Sequence, residues 1–283
     1  MTTPDATESG SETSRPVPPV ADTGPDLPDE LPAPVKIGMR DISDALSAGW
    51  RDFRRAPAFG LLFSAFYVLG GMAIAAVALA SGREWWLIPF VLGFPLIAPF
   101  AAVGLYEVSR RIEAEEPLDW PAVIGVVFAQ KDRQVPSMAM VILLLFMFWV
   151  FVAHTIFALF MGVSALTNVT SSAEILLTGR GLLMLLIGTL IGGGFAAVLF
   201  AFTVVGLPVL LEREVDFITA IIASIRAVAA NPVVMVAWAA IIAALLAVGM
   251  VPFFLGLFIA LPVLGHASWH VYRRLMPDGQ DLA

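Results

Sequence analysis

The sequence contains no cysteine. That excludes disulfides, thiolate metal centres and a cysteine nucleophile, and it leaves the redox compartment open. Charge is scarce as well. Of 283 residues 14% are charged and 59% apolar, against about 25% and 45–50% in a soluble domain. There is no phosphate-binding glycine loop, no G-x-S-x-G elbow, no H-E-x-x-H zinc helix and no D-x-D ion motif. The charged loops are too short for an enzyme domain, and no basic surface suits nucleic acid. These absences leave a chain whose main solvent is lipid.

What is there agrees. Uncharged runs cover Ala56–Gly82 (27 residues), Trp85–Tyr106 (22), Gln134–Ala173 (40), Gly181–Leu211 (31) and Ala227–Tyr272 (46). A hydrocarbon core about 30 Å thick takes roughly 20 helical residues. The longest run therefore needs a turn, and "VGMVPF" (248–253) supplies a glycine and a proline for it. The Gln134–Ala173 run ends in "SALTNVTSSA", polar enough to leave the bilayer. The pattern predicts six helices over 57–80, 86–108, 136–162, 181–210, 232–249 and 252–272. The fold class is all-α, a polytopic membrane protein.

The first 35 residues are a different material, with eight prolines, seven acids and one arginine, a net charge of −6. Such a segment has too little apolar surface to offset its ordering entropy and is expected to be disordered. It lacks the basic start and apolar stretch of a secretory signal. The organisation read from the sequence is an acidic tail (1–35), a six-helix membrane domain (36–275) and a short C-terminal tail (276–283). Basic residues set the orientation. Fourteen lie with the tail, the ends and the two long loops, while only Arg83 and Arg180 lie on the opposite side. Positive residues stay cytoplasmic, so both termini are expected there.

Two amphipathic segments precede helices. In 41–55 the residues Ile42, Leu46, Trp50 and Phe53 share a face. In 216–230 Ile218, Ile221, Ile222, Ile225 and Val228 do so. Both are expected to lie flat at headgroup level, and "LDWPAVIGVVFAQKDR" (118–133) is a weaker third. A parallel internal repeat connects them. Ala45, Ala48, Arg51 and Pro57 match Ala220, Ala223, Arg226 and Pro232 at an offset of 175. Pro99, Tyr106, Val108, Arg110 and Arg111 match Pro262, Trp269, Val271, Arg273 and Arg274 at 163. Parallel repeats occur in transporters, though not only there.

The stretches "PVLLEREVDFITAIIASIRAVAANP" (208–232), "GHASWHVYRR" (265–274), "GWRDFRRAPAFGLLF" (49–63) and "GLYEVSRR" (104–111) resemble one bacterial family of multi-pass integral membrane proteins, domain-of-unknown-function family 2189. The resemblance covers about residues 40–275. It implies a place in the bacterial cytoplasmic membrane and no established activity. Some members carry the label of a cytochrome c oxidase subunit, which the histidines test. His266 and His270 share a helix face, but no glutamate lies between them and a third ligand is needed. His154 would sit about 27 Å along its own helix, while the pair lies about 10 Å and 5 Å from Arg273. One haem or metal bridging all three is unlike this geometry. A catalytic oxidase subunit needs several more histidines, so the label leaves room only for an accessory role. No cofactor is expected from these residues, and His154 is expected to bond a neighbouring helix.

The remaining polar candidates collect at the cytoplasmic helix ends: Glu107, Glu212, Asp216, Arg226, His266 and His270. Glu107 and His270 are repeat-equivalent and would meet if the copies packed about a two-fold axis. The cluster reads as interfacial anchors and helix-end packing, as a functional polar network, or as a metal or haem site. Glycines at 188 and 192–194, and Gly70, Gly71 and Ala75, form strips that let helices approach. Prolines 89, 95, 99 and 262 break backbone hydrogen bonds that neighbours must repair. The leading functional expectation is a non-enzymatic scaffold or accessory subunit, because no charge lies at mid-bilayer. A carrier or channel for a small or lipid-like solute and a haem or metal protein are the alternatives. The expected partners are the lipid bilayer and either another membrane protein or further copies of the chain, not nucleic acid.

Overall fold

The computed structural model describes residues 31–81, 87–162, 178–252 and 254–277. They form one compact unit beginning at Leu31. The described residues contain, in order, α1 (Met39–Arg55), α2 (Pro57–Ser81), α3 (Leu87–Glu113), α4 (Trp120–Ala129), α5 (Val135–Met161), α6 (Gly179–Thr203), α7 (Gly206–Glu212), α8 (Phe217–Ala230), α9 (Pro232–Met250) and α10 (Leu257–Leu275). A 3₁₀ turn at Gln130–Asp132 joins α4 to α5.

Long apolar runs set the long helices, and prolines set their starts. Pro57, Pro136 and Pro232 occupy first turns, where a missing N–H breaks no helical bond. At Pro57 the chain turns by 98° from α1 into α2. The residue before it, Ala56, sits at φ −133°, ψ 53°. Asn231, before Pro232, sits at φ −131°, ψ 50°. Both breaks thus share one backbone conformation. The turn between α9 and α10 is held where Gly249 and Gly256 cross. A Cβ on Gly256 would lie 2.7 Å from the Gly249 Cα. Among the described residues α5, the α6–α7 pair and α9 are long and apolar enough to cross a membrane, and the bent α1–α2 pair makes a fourth. The polar "SALTNVTSSA" segment (164–173) lies outside the described residues.

The core gathers at one end of the bundle. There α1, α7 and α8 pack against the last turns of α3 and α10 and the first turns of α5 and α9. Its centre includes Ile42, Met138, Met235, Trp238, Trp269, Tyr272 and Leu275, all fully buried. The spans are sparsely covered over their apolar lengths: of an 18-residue apolar stretch, only 22% is buried within the chain in α5, 44% in α6–α7 and 17% in α9. Residues before α1 join this layer as well. Leu31 and Ile37 pack on the core. Asn231 bonds Ile37 N and Val35 O at 2.9 Å each, and Val35 N donates to Leu275 O. Leu31–Val35, which composition groups with the acidic tail, therefore lies against the helices.

The faces of α1 and α8 that pack into the chain are built mainly of small residues. In α1 the buried residues are Ile42, Ala45, Ala48, Gly49, Asp52 and Phe53, while Trp50 is 42% exposed. In α8 they are Ala220, Ala223, Ser224 and Ala227, while Ile218, Ile222 and Ile225 stand outside. The reason is the solvent. Lipid accommodates large aliphatic side chains, so helices meet through small ones that allow close approach. The α1–α10 contact is the extreme case, since a Cβ on Gly49 would fall 2.6 Å from Ala267 N. Ser224 does a second job: its Oγ accepts Val205 N at 3.1 Å, at the break between α6 and α7.

Candidate functional site

The six polar residues singled out by the sequence separate into four settings. Glu107 is 1% exposed and is held within α3. Arg110 donates to it through Nε (2.8 Å) and Nη2 (3.0 Å), and Arg111 through Nε (2.6 Å). Spacings of three and four residues place all three on one helix face. Glu212, at the end of α7, accepts the Tyr272 hydroxyl and Arg273 Nη1 (3.2 Å).

Asp216 is the N-cap of α8. Its carboxylate accepts Ile218 N (2.9 Å), Thr219 N (3.0 Å) and Thr219 Oγ1 (2.6 Å). These donors, the Thr219 hydroxyl foremost, hold the carboxyl below the usual range. Its stabilising effect is therefore present above the ordinary carboxylate pKa of about 3.9 and is lost as pH falls through the lowered value. Asp216→Ala is expected to lower stability by about 1 kcal/mol at pH 7, the usual worth of an N-cap, and by less at pH 3. Thermal unfolding at the two pH values reads this. Arg226 is exposed on the outer face of α8.

The histidines belong to a fourth setting that the sequence reading missed. His266 is fully buried, and its Nδ1 lies 2.9 Å from Ser109 Oγ. Ser109 Oγ donates to Asp52 Oδ2 at 2.8 Å. The same Asp52 oxygen lies 2.7 Å from His270 Nε2. A serine hydroxyl has one proton. Given to Asp52, it requires His266 Nδ1 to donate to the serine, which leaves His266 Nε2 an acceptor. That atom is buried and has no partner among the described residues. The chain Asp52–Ser109–His266, with His270 on its other arm, thus fastens α1 to α3 and α10. Ser109 and Asp52 carried a signal. Asp52 follows Ala45 and Ala48 by seven and four residues, on the small-residue face that packing selects.

Expected meetings fail in two places. Glu107 and His270 do not pair, because each has its own partners. The equivalent helices also have different neighbours: α1 packs on α10, whereas α8 packs on α6 and α7. Repeat-equivalent Tyr106 and Trp269 do meet, with ring centres 6.5 Å apart. His154 bonds the Val150 carbonyl of its own helix at 2.7 Å, not a neighbouring helix. In α5, each residue's carbonyl already faces along the axis, and an imidazole can fold back onto the one four residues earlier. Of the glycine strip only Gly192 is packed, where a Cβ would come 2.8 Å from the Trp149 ring. Gly188, Gly193 and Gly194 face open space, as does Gly71 on α2.

A cleft of about 630 Å³ lies between the ends of α3, α7 and α10 and the α4–α5 connection. Its charged lining is Glu107, Glu113, Glu212, Arg110, Arg133 and Arg273, with Gln130 and Trp269 beside them. Glu113 accepts Trp269 Nε1 (3.0 Å) and Arg273 Nε (3.3 Å). Glu116 accepts Arg110 Nη1 and Nη2 at 3.0 Å each. Arg110 holds the Glu116 carboxyl below the usual range. A second, mostly apolar cavity of about 240 Å³ lies among α2, α3, α9 and α10. No group of three or more metal-ligating His, Asp or Glu side chains occurs among the described residues.

Residues 87–212 match the family model described as "Predicted integral membrane protein (DUF2189)". That segment contains "GLYEVSRR" and most of the cleft lining, while "GWRDFRRAPAFGLLF" and "GHASWHVYRR" lie outside it. No curated protein and no solved structure matches the chain.

Proposed function

We propose, with residues 87–212 placed in a family of predicted integral membrane proteins, that this chain is a non-enzymatic membrane scaffold or accessory subunit. One observation carries the reading: among the described residues the charged side chains that are not exposed are tied to one another at one end, and the outer surface of the spans is mainly apolar. Leu159 and Val233 are each 78% exposed, and α5 and α9 contain no charged residue. Carriers usually place polar groups or broken helices around a mid-membrane substrate. The open faces at Gly188, Gly193 and Gly194 suit close lateral approach by another helix.

The topology we propose has six crossings, α2, α3, α5, α6–α7, α9 and α10, with both chain ends on the cytoplasmic side of the inner membrane. Support comes from the single polar layer that collects Arg54, Arg55, Arg110, Arg111, Arg133, Arg273 and Arg274 near helix ends. The matched backbone angles at Ala56 and Asn231 and the matched burial of Ala45 with Ala220 and Ala48 with Ala223 favour the parallel repeat as a local unit.

Single-molecule counting in lipid nanodiscs after extraction of native membranes tests the scaffold reading. Assemblies larger than one chain, reduced to single chains by Gly193→Leu, are the expected result. A lone chain that Gly193→Leu leaves unaltered overturns it. A second reading, a carrier for a small or lipid-like solute, is favoured by the polar cleft alone.

A further inference from the structure

The cleft at the ends of α3 and α10 contains an acceptor with nothing to accept. Gln130 is 2% exposed, and its Oε1 has no hydrogen-bond partner among the described residues. Buried carbonyls in that state are destabilising unless a donor arrives. Two carboxylates line the same cleft with spare capacity. Glu113 and Glu212 each accept two bonds from α10 side chains, and a carboxylate has about four lone-pair sites. Arg133 is the least engaged of the guanidiniums there. Its reaches are 3.5 Å to Leu211 O, 3.2 Å to Arg213 O and 3.8 Å to the exposed Glu214. Charge-assisted bonds normally close to about 2.7–2.9 Å.

We propose that this cleft binds the phosphoethanolamine headgroup of a bilayer phospholipid. A primary ammonium has three donors, and Gln130 Oε1, Glu113 and Glu212 supply three acceptors. The phosphodiester, one negative charge removed from that ammonium by two carbons, falls to Arg133. The cleft lies where the apolar runs of α3 and α10 give way to their arginine pairs, the depth at which headgroups sit. Its volume of about 630 Å³ is within the usual range of about 300–1,000 Å³ for small-molecule sites. Discrimination follows from the donor count. A choline headgroup has no N–H to give Gln130, and a glycerol headgroup has no cation to give the carboxylates. The proposal rests on the chain's place in a membrane and not on the scaffold reading, which survives its failure.

The test uses the full-length protein in a non-ionic detergent. Lysophosphatidylethanolamine, lysophosphatidylcholine and lysophosphatidylglycerol are titrated by native mass spectrometry, with glycerophosphoethanolamine as the free headgroup. The ethanolamine lysolipid is expected to bind at least about tenfold more tightly than the choline one, as sites built to pair a donor reject analogues lacking it. Gln130→Leu should abolish that preference while leaving the helical circular-dichroism signal unchanged. Arg133→Gln should weaken the ethanolamine and glycerol lysolipids alike. Equal binding of ethanolamine and choline forms, or a preference retained by Gln130→Leu, overturns the proposal. Tightest binding of the glycerol form also overturns it, since that marks a simple anion site. Free glycerophosphoethanolamine binding as well as the lysolipid assigns the cleft to a soluble solute and overturns the lipid assignment.

Discussion

Gly49→Ala is expected to destabilise the protein by about 3 kcal/mol, the upper part of the range for overpacking a rigid site. The size follows from what the new methyl would meet. A Cβ at this position lies 2.6 Å from Ala267 N, 2.7 Å from Val263 O and 2.9 Å from Ala267 Cα. All three are backbone atoms of α10, so no side chain can rotate away. The helices must separate instead. Separation loosens Ala45 and Ala48 from the same face and lengthens the bonds from Asp52 to Ser109 and His270. Ala267→Gly should give no rescue, because the clash is with the main chain. Gly188→Ala and Gly71→Ala are the controls. Nothing lies within 4 Å of either added methyl, so each should shift stability by less than about 1 kcal/mol, the helix-propensity difference between the two residues. Unfolding of the detergent-solubilised protein by a denaturing detergent measures the three together. Wild-type stability in Gly49→Ala would show that α1 does not rest on α10 at this separation.

The same contact explains how much could be read in advance. Charge-free runs bounded by arginines and prolines place three of the six expected helices to within a residue or two, whereas 86–108 is found as Leu87–Glu113, 181–210 breaks into Gly179–Thr203 and Gly206–Glu212, and 252–272 is found as Leu257–Leu275. Expected 57–80 is found as Pro57–Ser81, 136–162 as Val135–Met161 and 232–249 as Pro232–Met250. A helix that sheds every charge over some 20 residues has few alternatives in lipid. Which face of a helix is covered is much less legible. Apolar periodicity points to the bulky side chains of α1 and α8, yet of that set Ile42 and Phe53 pack inside while Trp50, Ile218, Ile222 and Ile225 are left to lipid or the interface. The alanine, glycine and serine faces are buried because they bring backbones together. Asp52 sits on such a face, between Arg51 and Arg54 in the sequence. Gln130 and Glu113 carried no signal in sequence, since only the turn of chain after α4 brings them beside α7 and α10. His266 and His270, four apart, share a face that turns toward α1 and α3, where Ser109 meets His266 Nδ1 and Asp52 meets His270 Nε2.

Asp52→Ala is expected to cost about 2–4 kcal/mol, since it strands two donors at about 1–3 kcal/mol each. Asp52 is 6% exposed and one of its oxygens accepts from both Ser109 and His270. Alanine leaves the Ser109 hydroxyl and a His270 nitrogen without that acceptor, and it weakens the orientation of His266 through Ser109. Asp52→Asn keeps the shape and one accepting oxygen, so its effect should be nearer about 1–2 kcal/mol, one buried bond lost or reversed. The arrangement also predicts coupling. Asp52→Ala and His270→Ala remove the same contact, so the double variant should be less destabilised than the sum of the singles by at least about 1 kcal/mol. A readout specific to α1 separates this from general loosening. Arg51, Arg54 and Arg55 are exposed on α1, and trypsin cuts only where the backbone can unfold locally. Asp52→Ala should therefore speed cleavage at those arginines while sites after Lys131 and Arg133 keep their wild-type rate. Additive energies within about 0.5 kcal/mol, with unaltered cleavage in α1, would mean that the helix is secured by its small-residue face alone.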